Sequence, residues 1–554
     1  MNKLSIPFIS RLLFITFAVT RFATAEVSLE DGIKARLGEL TKKELPGVAV
    51  LVARDGKVAF QGGFGMADVD RKTPVTVETK FRIGSVTKQF TAAAILKLAE
   101  EGKLSLTDPL KKFFPDFPGA GGITLHQLLT HTSGIHSYTS KPEFIGRVTK
   151  PIEPGKLIEW FQNDPLDFAP GAGFLYNNSA YFLTGELVAK VSGKSYAAFL
   201  AETFFEPLGM KNTGVYVNAS PPAGMATGYS VTDKKAAAAL DWDMSWAGGA
   251  GALYSTVGDM LRWSEALFGG KILKEASYKE MITPVKLAEG VDGMVYGCGL
   301  LLSEVRRLPA IGHGGGLNGW SSDLIYFPQQ HCTIVALSNA MPGAPGFEPA
   351  GIARSIAEKF LAEDIKKLPP VKEDTTVDKK TYAGLAGRYD YKNAVMTVSV
   401  ENDRVYAQLT GQPKNEIFPS GPDQFFWKVT DARVTFLRDA KGVVTAARHT
   451  QGGSTFKAPR LEEAAVKLTA AELDAVVGKY QYGPLGVLTV SRDGDSVFAQ
   501  LTGQQKFPIF AKSALEFEWR VVKASVRFEK DKDGNVTKAH HTQNGSTFEA
   551  ARMK

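Results

Sequence analysis

The last third of this 554-residue chain contains two copies of a similar sequence. AQLTGQ at 407–412 returns at 499–504, and the shift of 92 residues holds without gaps from Thr397 to Ala458. Each copy alternates apolar and polar residues in short runs broken by turns, which is typical of antiparallel strands. The period is longer than the roughly 20–50 residues of solenoid units. The repeat therefore predicts two small all-β antiparallel barrels, at 382–461 and 470–554.

Residues 26–363 follow a mixed pattern. The run 48–65 reads as two alternating apolar segments around Arg54-Asp55-Gly56, which is a hairpin signal. Helical stretches follow, and strand-like residues return at 309–313 and 332–340. This order predicts an α+β domain, in which an antiparallel sheet is closed by both ends of the domain and flanked by helices, with an all-helical region inserted.

The segment 364–381 is charged, contains Pro369-Pro370 and lacks periodicity, so we interpret it as a linker. Residues 1–25 carry Lys3 and Arg11, an apolar run, and a small-x-small site at Ala23-Thr24-Ala25. This pattern resembles a secretory signal peptide and predicts a periplasmic or secreted protein. An amphipathic N-terminal extension is the alternative.

Charge and hydropathy exclude several partners. The net charge is +7, and basic residues occur as short pairs without interleaved aromatic residues, so no nucleic-acid partner is expected. No later stretch reaches about 18 uninterrupted apolar residues, so no membrane span is expected after signal removal. The sequence leaves the oligomeric state open.

The pair Ser85 and Lys88 lies at the start of a helical pattern. QFTAAAILKLAEEGKL is apolar nearly all round and stops at Gly102, as expected of a buried helix ended by glycine. Residues three apart share a helix face, so a lysine with a depressed pKa could activate the serine hydroxyl. The second Ser-x-x-Lys pair, Ser454 and Lys457, lies in a strand pattern, where residues three apart point to opposite faces.

Two further stretches have the composition of a catalytic site. YNNSAYFLTGELV places Tyr176 and Asn178 just before a helical run. IGHGGGLNGW ends an apolar strand with His313 and three glycines, including Gly315 and Gly316, where backbone can approach a ligand closely.

Together these motifs resemble those of the penicillin-recognising serine hydrolases related to class C β-lactamases and DD-peptidases. Supporting stretches are LLTHTSGI (128–135) and GGAGALYSTVGDMLRW (248–263). The layout, one such domain followed by two barrels, is similar to that of bacterial D-aminopeptidases.

The resemblance implies a role for each motif residue. Ser85 would be the acylated nucleophile, Lys88 its proton partner and Tyr176 the general base. Asn178 would bind the substrate amide. His313 would line the pocket together with Gly315, and the backbone N–H groups of Ser85 and Gly316 would form the oxyanion hole. No metal or other cofactor is implied, and the partner would be a small-molecule or short-peptide substrate.

One departure bears on the substrate. Related β-lactamases have Lys-Thr-Gly where this chain has His313-Gly314-Gly315. A histidine near its usual pKa is mostly neutral at pH 7 and pairs poorly with a carboxylate. This departure therefore favours a peptidase or esterase over a β-lactamase. The resemblance implies a peptidase of the D-aminopeptidase or DD-peptidase type, with a β-lactamase or carboxylesterase as the alternative. A non-enzymatic wall-binding or ligand-binding protein with a relic hydrolase domain is a second alternative.

Other motifs carry weaker expectations. His126, His131 and His136 recur every five residues, a spacing that spreads them around a helix and does not favour zinc. His449 and His541 are equivalent in the repeat and are interpreted as packing residues. Whether Cys298 pairs with Cys332 is left open. The barrels are expected to cover or narrow the catalytic cleft.

Overall fold

The computed structural model describes residues 28–553, except 233–234, 288–293, 342–347, 392–393, 452–453, 462–467, 483–485, 503–505, 520–523 and 544–545. The predicted signal peptide at 1–25 lies outside the described residues. Within the described ranges, no helix combines the length and the apolar character needed to cross a bilayer.

Thirteen α-helices are present in the described part of the chain. They are α1 Leu29–Lys42, α2 Thr87–Glu100, α3 Leu125–Leu129, α4 Phe144–Arg147, α5 Pro154–Phe161, α6 Asn178–Ser192, α7 Tyr196–Leu200, α8 Gly248–Gly251, α9 Val257–Phe268, α10 Glu275–Ile282, α11 Pro349–Phe360, α12 Ala362–Lys367 and α13 Ala470–Val476.

The first domain also contains thirteen described strands. They are β1 Val48–Arg54, β2 Lys57–Phe64, β3 Met66–Asp68, β4 Thr73–Pro74, β5 Phe81–Arg82, β6 Gly214–Val215, β7 Tyr229–Thr232, β8 Lys235–Ala238, β9 Leu253–Ser255, β10 Leu301–Val305, β11 Leu308–Leu317, β12 Trp320–Phe327 and β13 Cys332–Ser338.

Six of these strands form the central sheet in the order β10-β11-β12-β13-β1-β2, and every neighbouring pair is antiparallel. The sheet thus joins both ends of the domain, which confirms the predicted α+β architecture. The predicted hairpin between β1 and β2 turns at Asp55 and Gly56, whose φ angles are 52° and 71°. Two successive positive φ angles are the requirement of a type I′ turn.

Alternate residues of the sheet belong to two cores, as expected where both faces are covered. Leu51 and Val335 pack with the helical region that contains α2, α6 and α9. Val50 and Ile334 pack with α1 and α11 on the other face. The nucleophile region therefore lies on the side of the sheet that carries the inserted helices.

The two cysteines belong to different cores and are both free. Cys298 lies in the core of the helical side and Cys332 in the core beneath α11. Burial raises the pKa of the Cys332 thiol to about 12. A thiol with a raised pKa is a poor nucleophile, so the structure gives neither cysteine a chemical role.

The repeat forms two closed eight-stranded antiparallel barrels, as predicted. The first contains β14 Gly387–Asp390, β15 Val395–Glu401, β16 Arg404–Leu409, β17 Asn415–Gly421, β18 Gln424–Trp427, β19 Ala432–Arg438, β20 Val444–Gln451 and β21 Ser454–Leu461. The second contains β22 Gly478–Gln481, β23 Val487–Asp493, β24 Ser496–Leu501, β25 Phe507–Ser513, β26 Glu516–Trp519, β27 Ala524–Lys530, β28 Val536–Gln543 and β29 Ser546–Arg552.

The repeated histidines lie among aromatic rings in the barrels. The ring of His449 is 5.4 Å from that of Trp427, and the ring of His541 is 4.9 Å from that of Trp519, measured between centroids. Both contacts agree with a packing role.

The segment between the domains is partly helical. α12 runs to Lys367, four residues into the predicted linker. Ile365 and Leu368 pack against the core beneath α11, which explains why the helix continues there.

The first barrel meets the first domain near the β10–β11 turn. Arg433 pairs with Glu304, and Arg307 donates a 2.6 Å hydrogen bond to the carbonyl of Pro369. This turn is at the opposite end of β11 from Gly316. The described residues that line the cavity at Ser85 all lie between positions 85 and 317, so none of the described barrel residues is among them.

Candidate active site

Ser85 lies in a short 3₁₀ turn, Gly84–Val86, that leads directly into α2. Gly84 has φ of 50°, and an added Cβ there would be 2.9 Å from the backbone nitrogen of Gly316. Only glycine combines this backbone conformation with such a close approach. The serine is thus presented at the positive end of a buried helix, next to the end of β11.

Lys88 is fully buried one turn further along. Its Nζ lies 3.2 Å from Ser85 Oγ, 2.9 Å from Asn178 Oδ1 and 2.8 Å from the carbonyl oxygen of Ala250. Burial lowers the pKa of Lys88 well below its usual value. A neutral amine has two N–H groups, which match the two carbonyl acceptors, and its lone pair is then left for the serine hydroxyl. The geometry suits a base that receives the Ser85 proton.

Tyr176 lies on the loop before α6, with its ring centroid 4.8 Å from Lys88 Nζ. Burial raises the pKa of its phenol, and an interaction with Ser85 opposes part of that rise. The phenol is therefore protonated at neutral pH. This charge state fits a proton donor better than the general base implied by the family resemblance.

Asn178 is the first residue of α6 and connects Lys88 to a neighbouring loop. Its Oδ1 accepts the hydrogen bond from Lys88, and its Nδ2 donates to Thr139 Oγ1 at 3.0 Å. The preceding residue, Asn177, caps the helix by accepting from the N–H of Ala180. Asn178 therefore orients the lysine, and it also lines the cavity where a substrate amide would lie.

His313 is not among the described residues that line the cavity beside Ser85. Its side chain is 7% exposed, its Nε2 is 2.8 Å from the hydroxyl of Tyr296, and its Nδ1 is 2.5 Å from the carbonyl oxygen of Gly314. Because a carbonyl only accepts, Nδ1 carries the proton and Nε2 accepts from the tyrosine. Burial, reinforced by the nearby Lys88, lowers the pKa of His313 to about 3. A neutral, enclosed imidazole cannot pair with a substrate carboxylate.

The three glycines after His313 form the end of β11, as predicted. The strand continues to Leu317 and pairs with β12 throughout this stretch. Glycine is needed because an added Cβ at Gly315 would be 2.0 Å from the carbonyl oxygen of Ile83. Gly315 therefore packs against the nucleophile turn, and only Gly316 of the three lines the cavity.

Gly315→Ala is expected to lower the free energy of unfolding by about 1–3 kcal/mol or more, since the methyl group must displace the Ile83 backbone. Gly314→Ala is the matched control because its nearest atom, Asp323 Oδ1, would be at 3.4 Å. Thermal unfolding and the acylation rate of the two variants provide the measurements. Equal unfolding midpoints for both variants would contradict this packing.

Two residues that support the site, His131 and Tyr296, were not given this role from the sequence. His131 is buried with its ring centroid 4.4 Å from that of Tyr176, and its Nδ1 accepts from the N–H of Asn177 at 3.1 Å. Tyr296 holds His313. The stretch LLTHTSGI contains His131 and could have singled it out, whereas nothing around Tyr296 marks that residue. α3 ends at Leu129, so the predicted helical spacing of the three histidines is wrong.

A cavity with about 430 Å³ of empty space opens beside Ser85. Fifteen described residues line it, and most are apolar: Ser85, Tyr138, Thr139, Phe144, Val148, Asn178, Trp242, Asp243, Met244, Trp246, Ala247, Ala250, Gly251, Gly316 and Leu317. Within this lining, Asp243 is the only residue with a formally charged side chain. A mainly apolar lining with a few polar groups is typical of a small-molecule site.

The family model described as beta-lactamase matches residues 30–358. The chain belongs to the beta-lactamase family. A second model, described as a domain of unknown function (DUF3471), matches the barrel region twice, at 371–458 and 462–552.

Known relatives agree with the beta-lactamase-family assignment. Penicillin-binding protein 4* of Bacillus subtilis (strain 168) is 28% identical over 412 residues, which are 70% of this chain and 89% of that protein. The putative penicillin-binding protein PbpX of the same organism is 35% identical over 234 residues, 42% of this chain and 58% of that protein.

Among solved structures, the D-amino acid amidase from Ochrobactrum anthropi SV3 is 28% identical with a TM-score of 0.53, and the match covers 61% of this chain and 98% of that one. The chain is therefore a serine hydrolase of the beta-lactamase and penicillin-binding-protein type.

Proposed function

We propose that this protein hydrolyses small amides or esters through an acyl-enzyme on Ser85, and that its substrates are amides of D-residues of the D-aminopeptidase or DD-peptidase type. The observation that carries the proposal is the contact of a buried lysine with the serine hydroxyl at the mouth of an apolar cavity. The D-configuration is suggested by the neighbouring D-amino acid amidase.

Lys88, Tyr176 and two backbone N–H groups each have a separate role in the proposed reaction. Neutral Lys88 takes the proton of Ser85 as Oγ attacks the substrate carbonyl. The N–H groups of Ser85 and Gly316 stabilise the oxyanion. The protonated phenol of Tyr176 delivers a proton to the leaving nitrogen or oxygen, and the resulting phenolate is ready to activate water for deacylation.

The charge of the cavity argues against a β-lactamase with this site. Penicillins carry a carboxylate, but no cationic side chain is among the fifteen described residues of the lining, and His313 is neutral. A carboxylesterase is the second candidate, because an apolar cavity accepts uncharged esters as readily as uncharged amides.

We also propose that the protein acts in the periplasm or outside the cell, on the basis of the signal-like sequence at 1–25. A relic hydrolase domain is disfavoured, since Ser85, Lys88 and Asn178 are in bonding contact.

A substrate panel tests the function. D- and L-phenylalanine p-nitroanilides, a short-chain p-nitrophenyl ester and a penicillin are compared by kcat/KM. We expect the D-anilide to exceed its L-isomer and the penicillin by at least about tenfold, the scale of 1.4 kcal/mol. A penicillin hydrolysed faster than the D-anilide would overturn the proposal, and turnover of the ester alone would favour the carboxylesterase.

A further inference from the structure

The lining of the cavity carries a single negative charge in a position that the reaction chemistry does not use. Asp243 lies between Trp242 and Met244, just before the 3₁₀ turn Met244–Trp246. Its Oδ1 accepts from the N–H of Ser245 at 3.0 Å. Among the described residues, the other carboxylate oxygen has no hydrogen-bond or ion-pair partner.

A second acidic residue in the same segment provides a contrast. The side chain of Asp241 is 64% exposed, and it is paired with Arg82 at 2.8 Å and with Asn218 at 3.1 Å. Arg82 also lies over the ring of Tyr216, at 4.0 Å from the centroid. Asp241 thus has structural partners, whereas Asp243 lines the cavity that contains Ser85 and has one carboxylate oxygen without a partner among the described residues.

A carboxylate among aromatic walls favours a cationic ligand group. Phe144, Trp242 and Trp246 line the same cavity and exclude water from part of it. Charge pairs and charge-assisted hydrogen bonds are stronger where water is excluded. An α-amino group is mostly protonated at pH 7, and it is attached to the carbon next to the carbonyl that Ser85 attacks.

We propose that Asp243 binds the protonated α-amine of the acyl half of the substrate, while the aromatic residues of the cavity bind an apolar side chain of the substrate. The substrate class is therefore an aminoacyl amide or ester with a free amine and a bulky apolar side chain. This inference rests on the proposed function, because it needs an acyl group on Ser85.

The test compares two esters that differ only at the amine, D-phenylalanine methyl ester and its N-acetyl derivative. For the full chain, we expect kcat/KM to be higher for the free amine. Asp243→Asn keeps an oxygen that can accept from Ser245 but removes the charge, so the preference for the free amine should fall by about 10–100-fold, the range of a hydrogen bond to a charged group. Asp241→Asn is the matched control and should keep the wild-type preference.

A second readout separates an electrostatic role from a structural one. An N-succinyl ester, which carries a carboxylate, should be hydrolysed better by Asp243→Asn than by the wild type, because the repulsion is removed. An unchanged preference in Asp243→Asn, or an equal loss on all three esters, would overturn the ammonium site while leaving the proposed function intact. Failure of the wild type to hydrolyse any of these esters would overturn both.

Discussion

Ser85→Ala is expected to abolish hydrolysis of amides and esters, with a loss in kcat of about 10⁵–10⁶-fold, the scale seen when a serine nucleophile is removed. The side chain supplies the only oxygen within reach of Lys88 that can form an acyl-enzyme among the described contacts of that lysine. The same variant should not gain mass when incubated with a fluorophosphonate, whereas the wild type should gain one adduct.

The chain offers its own control for this experiment. Ser454 and Lys457 form the second Ser-x-x-Lys pair, and both lie in β21 of the first barrel. Ser454→Ala should retain full activity and the adduct. Turnover by Ser85→Ala at more than a small fraction of the wild-type rate would show that another group is the nucleophile.

Lys88→Met is expected to reduce acylation by about 10²–10⁴-fold, the usual contribution of a general base. The thioether fills a similar volume but cannot accept the Ser85 proton. Lys97→Met is the matched control, because Lys97 lies on the same helix, is one-third exposed and pairs with Glu100 at 3.3 Å. That control should leave the acylation rate unchanged.

The stability of Lys88→Met should differ from the wild type in a pH-dependent way. The pKa of Lys88 is lower in the folded protein than in the unfolded chain, so the unfolded state binds more protons between the two values. Wild-type stability therefore gains from rising pH in that window, and the methionine variant lacks this gain. The difference in unfolding midpoint, variant minus wild type, should decrease between pH 7 and pH 10. A difference that grows over this range would mean that Lys88 is charged in the folded protein.

The nucleophile helix could be predicted because its signals are local. The apolar pattern after Ser85 predicts where α2 begins, and Gly102, whose φ is 72°, predicts closely where it ends. The repeat was equally informative, because two matching copies show the strand and turn pattern twice.

Other parts of the site depend on contacts that no local pattern carries. Glycine usually interrupts a strand, yet Gly315 lies inside β11 because the backbone of Ile83 packs against it. The neutral state of His313 follows mainly from its burial among residues that are distant in the chain. The lowered pKa of Lys88 and the raised pKa of Tyr176 likewise result from burial.

The order of strands in the central sheet has a consequence for how the chain is made. Val48 pairs with Ser338, so the inner edge of β1 has no partner until nearly the whole domain has left the ribosome. Such long-range pairing slows folding, and an unpaired edge invites association with other chains. Each barrel, in contrast, closes between strands fewer than a hundred residues apart, such as Tyr389 with Arg460. A polypeptide that stops before residue 332 is therefore expected to aggregate, whereas one that ends after the first barrel contains every strand that its sheet requires.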